Sequence, residues 1–158
     1  MAKRKRTLKT LKRLTDEQFS KYIRYKGADA DGYSTCITCN KALHVTKLQC
    51  GHFVSRRYAV TRYEPDNVAS QCVACNIFNQ GEQWLFGQAI DRKKPGRAAE
   101  LMQRAHRGGA LSYADIEQLY QRYKVLAAIE ASTRNVEGNS QAMEENKGAE
   151  KAKDAAAK

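Results

Sequence analysis

The sequence predicts an α+β fold in which short strands and helices surround a cysteine-rich centre, with further α-helices flanking it. Two observations carry this prediction: two Cys-x-x-Cys pairs lie in the middle of the 158-residue chain, and helical patterns of apolar residues stand on both sides of them. A third is that the ends lose this patterning, with a basic arm before the fold and an Ala- and Lys-rich tail after it. We therefore expect one small domain with two appendages.

The helix before the cysteines is predicted from a capping box. Thr15 stands where an N-cap would be, with Gln18 three residues later, apolar side chains follow at helical spacing, and Gly27 is a natural stop. The arm 1–14 has only a weak leucine stripe within a basic run, and we expect it to order only on its partner.

The centre of the chain divides into strand, loop and helix patterns. "KLQCGHFV" and "NVASQC" are typical of short strands, and "SRRYAVTRYEPD" between them is typical of a long loop. "VACNIFNQGEQWLFGQAIDRKK" predicts a helix that is broken or kinked near Gly81.

Two further helices follow the turn at Pro95-Gly96. The first spans 97–106, and the second begins at a Ser112 cap. The second helix has a stripe that we interpret as a packing seam: Ile116, Leu119, Tyr120, Tyr123, Leu126 and Ile129. The segment 137–158 has no aromatic residue, and we expect it to be disordered.

The formal net charge of +11 is unevenly spread over the four regions that these patterns define. The regions are a basic N-terminal arm and helix (1–26), a cysteine-rich core (27–94), a C-terminal helical region (95–136) and a disordered tail (137–158). The first region has ten Lys and Arg residues against two acidic residues. This pattern favours an anionic partner, with nucleic acid the first candidate; the alternative is a solvated arm that only keeps the chain soluble.

Hydropathy argues against a membrane protein. The mean hydropathy is −0.71, and no apolar run approaches the length of a membrane span. "MAKRKRTLKTLKR" has the charge of a signal-peptide start, but no apolar stretch follows it. We therefore expect a soluble, cytoplasmic protein.

Four of the five cysteines form the pairs Cys36-x-x-Cys39 and Cys72-x-x-Cys75. A reducing cytoplasm disfavours disulfides, and each such pair can present both sulfurs to one ion, so that two pairs complete a tetrahedron. We predict a structural Zn²⁺ with no open position for chemistry, whose binding stabilises the small core. The alternative is that the thiols are free, buried groups.

The loop that this zinc would close carries polar side chains that a packed core does not need. Between the pairs lie His52, Arg56, Arg57, Arg62 and Asn67, and Asn76 follows the second pair directly. We interpret the cysteines as a clamp that positions these side chains. We interpret Cys50 as a small buried residue of the strand; the alternative is a partial ligand set with His52.

These motifs resemble the HNH (ββα-metal) nuclease superfamily, in which metal knuckles enclose a Gly-His, an asparagine lies on the second strand and Cys-x-x-Cys-Asn opens a helix. "CGHFVSR", "TRYEPDN" and "QCVACNIFNQG" are more narrowly similar to the phage Rap/NinG recombination endonuclease family. The likeness runs from about Cys36 to Trp84. It implies a zinc-stabilised ββα-metal (HNH) core flanked by α-helices, in a protein of the host cell cytoplasm.

The resemblance implies a metal-dependent DNA endonuclease that acts on branched recombination intermediates such as Holliday junctions and D-loops. His52 would be the general base, since a neutral imidazole with a pKa of about 6.5 can accept a proton from water. Asn67 would orient the imidazole or brace the loop. Asn76, with His52, would hold a catalytic Mg²⁺ or Mn²⁺, because a carbonyl oxygen favours a hard ion; Asn79 is an alternative ligand.

The same resemblance implies phosphate contacts by basic side chains. We assign these to the loop and the arm: Arg56, Arg57, Arg62, Lys3, Arg4, Lys5 and Arg6. Tyr58 or Tyr63 would stack on an unpaired base. A homodimer would suit symmetric cleavage of a junction, with the 112–130 stripe as its seam.

One position departs from the superfamily pattern. Many HNH enzymes have an acidic or histidine ligand directly before the catalytic histidine, and here that residue is Gly51. Two alternatives therefore stay open. One is a zinc-stabilised nucleic-acid-binding protein without catalytic activity, and the other is a zinc-centred module that docks a protein partner through its helical half.

Overall fold

The computed structural model describes residues 6–134, and this part of the chain has an α+β architecture of helices and two two-stranded antiparallel sheets. The elements in chain order are α1 (Leu8–Lys26), β1 (Tyr33–Thr35), β2 (Ala42–His44), β3 (Leu48–His52), α2 (Ala59–Arg62), β4 (Val68–Cys72), a π-helical turn (Ala74–Phe78), α3 (Gln83–Lys93), α4 (Arg97–Arg107) and α5 (Tyr113–Ser132). Lys3, Arg4, Lys5 and the predicted disordered tail lie outside the described residues.

Helix α1 begins a full two turns before the predicted start. Its N-cap is Thr7, whose side chain accepts a hydrogen bond from the backbone N–H of Thr10. The predicted cap at Thr15 is wrong, because this residue lies inside the helix with its hydroxyl donating to the carbonyl of Leu11 at 2.8 Å. The expectation that 1–14 stays unfolded without a partner is also wrong from Leu8 onward, since Leu11 is fully buried against α5.

The predicted seam on α5 packs against α1 within the same chain. Ser112 and Asp115 form a reciprocal capping box at the start of α5, which confirms the predicted cap. Tyr123 lies edge-on to Phe19 of α1, with ring centroids 4.6 Å apart. Because α1 covers this face, a homodimer would need another surface, and Ile129 is 52% exposed at the far end of the stripe.

The two sheets hold the cysteine pairs at their ends. In the second sheet β3 and β4 are antiparallel, with Leu48 opposite Cys72 at one end and His52 opposite Val68 at the other. These strands confirm the two predicted from alternation. The β1–β2 hairpin, which encloses the first cysteine pair, was not predicted; the backbone N–H of Ile37 joins it to β4 by donating to the carbonyl of Ser70 at 2.9 Å.

The predicted break near Gly81 separates the π-helical turn from α3. Three consecutive residues, Gln80, Gly81 and Glu82, have positive φ angles of 52°, 85° and 50°, so the helix cannot continue through them. Helix α3 then packs on α4 through a buried cluster that includes Phe86, Ile90 and Leu101. Among residues 6–134, no helix combines the length and the apolar character that a bilayer crossing needs.

Candidate active site

The four predicted cysteine ligands come together. Cys36 follows β1, Cys39 precedes β2, Cys72 ends β4, and Cys75 lies in the π-helical turn. Their sulfur atoms all lie within 4.8 Å of one another, and all but Cys39 are buried. Four thiols at this spacing are compatible with a tetrahedral zinc site.

Hydrogen bonding makes one of these thiols unusually acidic. Burial alone would raise the pKa of Cys36, but hydrogen bonds from the backbone of Cys39, Thr38 and Cys72 and from the Thr38 hydroxyl outweigh it, and the pKa falls to about 6. The Cys36 Sγ lies 3.1 Å from that hydroxyl oxygen. Since zinc binds the thiolate, the acidic Cys36 favours metal binding at neutral pH, whereas burial raises the pKa of Cys75 to about 12, so that this thiol would lose its proton to solvent only on binding the ion.

Cys50 stands apart from the cysteine cluster. It is half-buried on β3 and packs beside the cluster of Phe19, Tyr63 and Tyr123. Burial raises the pKa of its thiol to about 12. Cys50 is not among the cysteines whose sulfurs lie within 4.8 Å of one another, so its position and contacts favour the packing interpretation over the ligand one.

His52 ends β3, and its ring is hydrogen-bonded to the residue that ends α2. Its Nε2 lies 3.1 Å from the carbonyl oxygen of Arg62. Because a carbonyl only accepts, Nε2 carries the proton, and in the neutral ring Nδ1 keeps its lone pair. One lone pair can accept a proton or bind an ion, but not both at once. The two roles predicted for His52 are therefore alternatives.

The surroundings of His52 keep its ring neutral. Burial lowers the pKa of His52 below its usual value of 6.5, and the charges of Arg62 and Arg56 lower it further. The hydrogen bond to the Arg62 carbonyl and the charge of Asp16 act in the opposite direction without reversing the shift. At pH 7 the imidazole therefore has an unprotonated nitrogen available to a water molecule.

Asn67 is fully buried and ties down the loop that follows His52. Its Oδ1 accepts a hydrogen bond from the backbone N–H of Val54 at 2.7 Å, and its Nδ2 donates to the carbonyls of Val54 and Thr61, both at 2.9 Å. These bonds use both protons of the amide. Of the two roles predicted for Asn67, its contacts favour bracing the loop over orienting the imidazole.

The guanidinium of Arg62 is engaged within the chain. It forms a two-pronged ion pair with Asp16 of α1, with Nε–Oδ1 and Nη2–Oδ2 distances of 2.9 and 2.6 Å, and its Nη1 donates to the carbonyl of Arg56. These contacts fix the backbone of Arg62, whose carbonyl holds the ring of His52. They also compete with a phosphate for the guanidinium, so the structure favours Arg62 as a positioning residue over the predicted phosphate contact.

His52 and Asn76 line the same cleft, which has a volume of 720 Å³. The cleft lies between α1, β3, the start of the loop after β3, and the chain from the π-helical turn to α3. Its other charged and polar lining residues include Asp16, Arg24, Gln49, Ser55, Arg56 and Gln83. The predicted base, the predicted metal ligand and one of the predicted phosphate contacts therefore share one opening.

Asn76 is held in the cleft through one end of its amide. Its Nδ2 donates to Oε1 of Gln49 at 2.7 Å, and its other terminal atom, Oδ1, is a carbonyl oxygen of the kind that hard ions prefer. The alternative ligand Asn79 does not line the cleft; it is exposed and donates to Glu82. The geometry favours Asn76.

Gly51 has no space for the side chain that many HNH enzymes carry at this position. A Cβ added there would lie 1.9 Å from Oε1 of Gln71, which is fully buried. The amide of Gln71 in turn donates to the carbonyl of Gly81 at 2.9 Å, at the break before α3. The space that an acidic or histidine side chain at position 51 would need is thus occupied by Gln71, which links β4 to the turn before α3.

The cleft offers few protein ligands to a divalent ion. Asp16 is the acidic side chain that lines it, and both of its carboxylate oxygens bind Arg62. Within the described part of the chain, the four cysteines are the one group of three or more His, Cys, Asp or Glu that is close enough to share an ion. An ion bound in the cleft would take one ligand from Asn76 and would need phosphate and water for the others.

Several other predicted contacts lie away from the cleft. Arg57 stacks on the ring of Tyr58 with its guanidinium carbon 4.8 Å from the centroid, and Arg6 stacks on Tyr120 at 5.4 Å. Tyr63 is only 6% exposed and packs edge-on to Phe19, so the prediction that it could stack on a base is wrong.

Sequence reasoning missed three residues that shape the cleft: Asp16, Gln49 and Gln83. Asp16 fixes Arg62, and Gln49 accepts the hydrogen bond that holds Asn76. The side-chain amide of Gln83 donates to the carbonyl of His52 at 3.4 Å. Gln49 precedes Cys50 in the predicted strand "KLQCGHFV", and this position is the one sequence feature that could have identified it. Asp16 and Gln83 look like ordinary helix residues in the sequence.

Residues 1–137 match the family model described as the bacteriophage lambda NinG protein. No significant match was found among curated proteins or among solved structures.

Proposed function

Because the chain belongs to the family of the bacteriophage lambda NinG protein, which is associated with phage recombination, we propose that it is a metal-dependent DNA endonuclease of the HNH type. The observation that carries this proposal is the shared cleft of His52 and Asn76, with the His52 ring fixed so that Nδ1 is the free nitrogen.

His52 acts as the general base in this proposal. Its Nδ1 takes a proton from a water molecule, whose oxygen forms a bond to phosphorus as the bond to the 3′ oxygen breaks. The departing oxygen takes a proton from solvent, which leaves 3′-hydroxyl and 5′-phosphate ends. The proton gained by the ring is stabilised by the carbonyl of Arg62, which Nε2 continues to contact.

Asn76 would hold the divalent ion, Mg²⁺ or Mn²⁺. When bound, the ion supplies positive charge against the scissile phosphate and the departing oxygen. Asn67 braces the loop from Val54 to Thr61, and the Asp16–Arg62 pair fixes the carbonyl behind the base. These residues maintain the geometry and do not touch the reacting atoms.

The four cysteines would bind a structural zinc ion. Their sulfurs come from two hairpin ends and from the turn that carries Asn76. An ion there would fix this turn against β4 and so determine where Asn76 lies relative to His52. We place the protein in the host cytoplasm, where thiols stay reduced.

Basic side chains would bind the DNA backbone without reading its sequence. Arg56 lines the cleft and is the phosphate contact that the geometry supports best. Arg57 and the residues of the basic arm would contact more distant phosphates. We extend the proposal to branched recombination intermediates such as Holliday junctions, for which a homodimer would be suited.

The experiment is a cleavage assay of the purified protein on a four-way junction and on linear duplex of the same strands. We expect strand breaks with added Mg²⁺ or Mn²⁺, none without a divalent ion, and faster cleavage of the junction. Products should be substrates for DNA ligase, since they carry 3′-hydroxyl and 5′-phosphate ends.

Two other outcomes would replace the proposal. If the protein binds DNA with a steep dependence on salt but breaks no strand with any divalent ion, it is a nucleic-acid-binding protein without catalytic activity. If its DNA affinity is weak and insensitive to salt, a module that docks a protein partner accounts better for the chain.

A further inference from the structure

Exposed aromatic side chains border the cleft where the chain enters α3. Trp84 is 76% exposed and Phe78 is 77% exposed, although both are large apolar side chains. Gln83, which precedes Trp84, lines the cleft itself. Exposed apolar groups beside a polar cleft indicate a binding surface rather than a packing surface.

Trp84 lines a groove with a volume of 570 Å³. Phe53 lines the same groove and packs closely on α3, because a Cβ added to Gly87 would lie 3.0 Å from its ring. Arg92 contributes a positive charge. The acidic lining residue, Asp91, already accepts a hydrogen bond at 2.8 Å from the backbone N–H of Ala98 at the start of α4.

The groove and the cleft meet at Gln83. Gln83 lines both, and its Nε2 donates to the carbonyl of His52 at 3.4 Å. Phe53 is the residue that directly follows His52. A nucleotide whose phosphate lies beside His52 therefore has its base within reach of the aromatic groove.

We propose that the groove between Trp84 and Phe53 binds an unpaired nucleobase of the strand whose phosphate lies in the cleft. This inference rests on the proposed function and adds a reason for a preference for branched DNA. A base within a duplex is already stacked and paired, whereas an unpaired base at a branch can stack on an aromatic ring. Such stacking does not depend on sequence, since every base has a π-face.

The choice of a nucleobase over a protein partner follows from continuity and charge. The groove opens beside a cleft that contains Arg24 and Arg56, and it carries Arg92 itself. Its apolar lining is aromatic, and aromatic rings with a nearby cation are typical of sites for single-stranded nucleic acid.

Trp84 is the one tryptophan of the chain, so its fluorescence reports this groove directly. We would titrate the protein, without added divalent ions, with a duplex that has one unpaired thymine and with a fully paired duplex of otherwise identical sequence. We expect quenching of the tryptophan emission by the first DNA and little change with the second. Anisotropy of labelled DNA measures both affinities.

Three variants locate the site. Trp84→Ala should weaken binding of the DNA with the unpaired thymine about tenfold, in line with the loss of one base–aromatic stack, and leave the paired duplex unaffected. Trp84→Phe should retain most of the affinity. Val125→Ala is the control, because this apolar side chain on α5 is 58% exposed and lines neither the groove nor the cleft.

Absence of quenching, equal losses on the two DNAs, or an equal loss in Val125→Ala would overturn the proposal that this groove binds a nucleobase. A change of emission with protein concentration in the absence of DNA would do the same, since a second copy would then fill it. The proposed function can fail independently of this inference. If the protein shows the quenching but never cuts DNA, the groove proposal stands and the nuclease assignment fails. If Trp84→Ala cuts DNA at the same rate as the unaltered protein, the nuclease assignment stands and the groove proposal fails.

Discussion

At the end of the β3–β4 hairpin where Leu48 pairs with Cys72, the side chains are thiols and aliphatic groups that are largely closed to solvent. At the opposite end, where His52 pairs with Val68, a half-buried imidazole faces an open cleft lined by arginine and amide groups. The two ends are separated by four residues of strand, about 13 Å. One end can hold an ion with protein ligands alone, and the other has too few ligands to do so.

The difference indicates a division of tasks within one hairpin. The cysteine end closes the fold and fixes the π-helical turn, and the histidine end is left open for a substrate that brings its own charge. Asn76 connects them, because it follows Cys75 in the chain and lines the cleft with His52. If this division is correct, damage to the two ends should have different consequences.

The largest effect is expected at the cysteine end. Cys75→Ser should remove the zinc and unfold the domain, because zinc binding contributes on the order of 10 kcal/mol to such small folds, as much as their whole stability. Circular dichroism and zinc content measure this. Cys50→Ser alters a cysteine outside the cluster and should keep the zinc and the folded structure. A Cys75→Ser protein with native zinc content and melting temperature would contradict the assignment of Cys75 as a zinc ligand.

Asn67→Ala tests the brace at the histidine end. The change leaves the N–H and the carbonyl of Val54 without their side-chain partner, while the carbonyl of Thr61 keeps a hydrogen bond from the backbone N–H of Glu64, and we expect a loss of roughly 2–5 kcal/mol in the free energy of unfolding, with zinc still bound. Urea denaturation measures it. The exposed amide of Asn79 is the control, and its change to Ala should cost less than about 0.5 kcal/mol. Equal losses in the two variants would show that Asn67 is not a brace.

Asp16→Asn tests the ion pair that fixes the carbonyl behind His52. The pair is two-pronged, with side-chain exposures of 21% for Arg62 and 30% for Asp16, and we expect a loss of about 1 kcal/mol in unfolding free energy together with slower cleavage. Glu17→Gln is the control, since Glu17 pairs with Arg13 at exposures of 51% and 63%. Its unfolding free energy and its cleavage rate should stay unchanged. A normal rate in Asp16→Asn would remove the positioning role.

The smallest effect is a shift in pH dependence. Since the pKa of His52 lies below 6.5 and the base must be unprotonated, kcat/KM should rise with pH and level off by about pH 7. Arg56→Gln removes a charge that lowers this pKa, so the midpoint of the rise should move to higher pH, whatever happens to the maximal rate. Arg57→Gln should leave the midpoint in place. A midpoint unmoved in both variants would show that the rise does not report His52.

Stability should respond to pH in the same direction. The unfolded imidazole binds a proton more readily than the folded one, so the contribution of His52 weakens the fold as the pH falls through 6.5 and below. A His52→Gln protein, which has no titrating group there, should lose less stability over that range. Urea denaturation at a series of pH values compares the two proteins.

Local patterns predicted the parts of the fold that local physics determines. The two Cys-x-x-Cys pairs predicted a shared ligand set, and their four sulfurs do lie together. The predicted cap of α5 at Ser112 is also present. Thr15 has the same local signature as a cap, yet the burial of Leu11 against α5 extends the helix past it. Nothing near Thr15 in the sequence contains that information.

The candidate site shows the same limit. His52 and Asn76 were predicted and share a cleft, but the residues that support them come from distant parts of the chain. Asp16 lies 46 residues from Arg62, and their pairing converts a predicted phosphate contact into a support for the base. A contact of this kind depends on how α1 packs on the sheet, which no motif encodes.

The most direct measurement is the cleavage of a DNA junction by His52→Ala protein that has its full zinc content. We predict a native circular dichroism spectrum, unchanged DNA affinity and a rate reduced at least a hundredfold, as expected for loss of a general base. His106→Ala, which alters a histidine outside the cleft, should cut normally. An undiminished rate in His52→Ala would contradict the assignment of chemistry to this end of the hairpin.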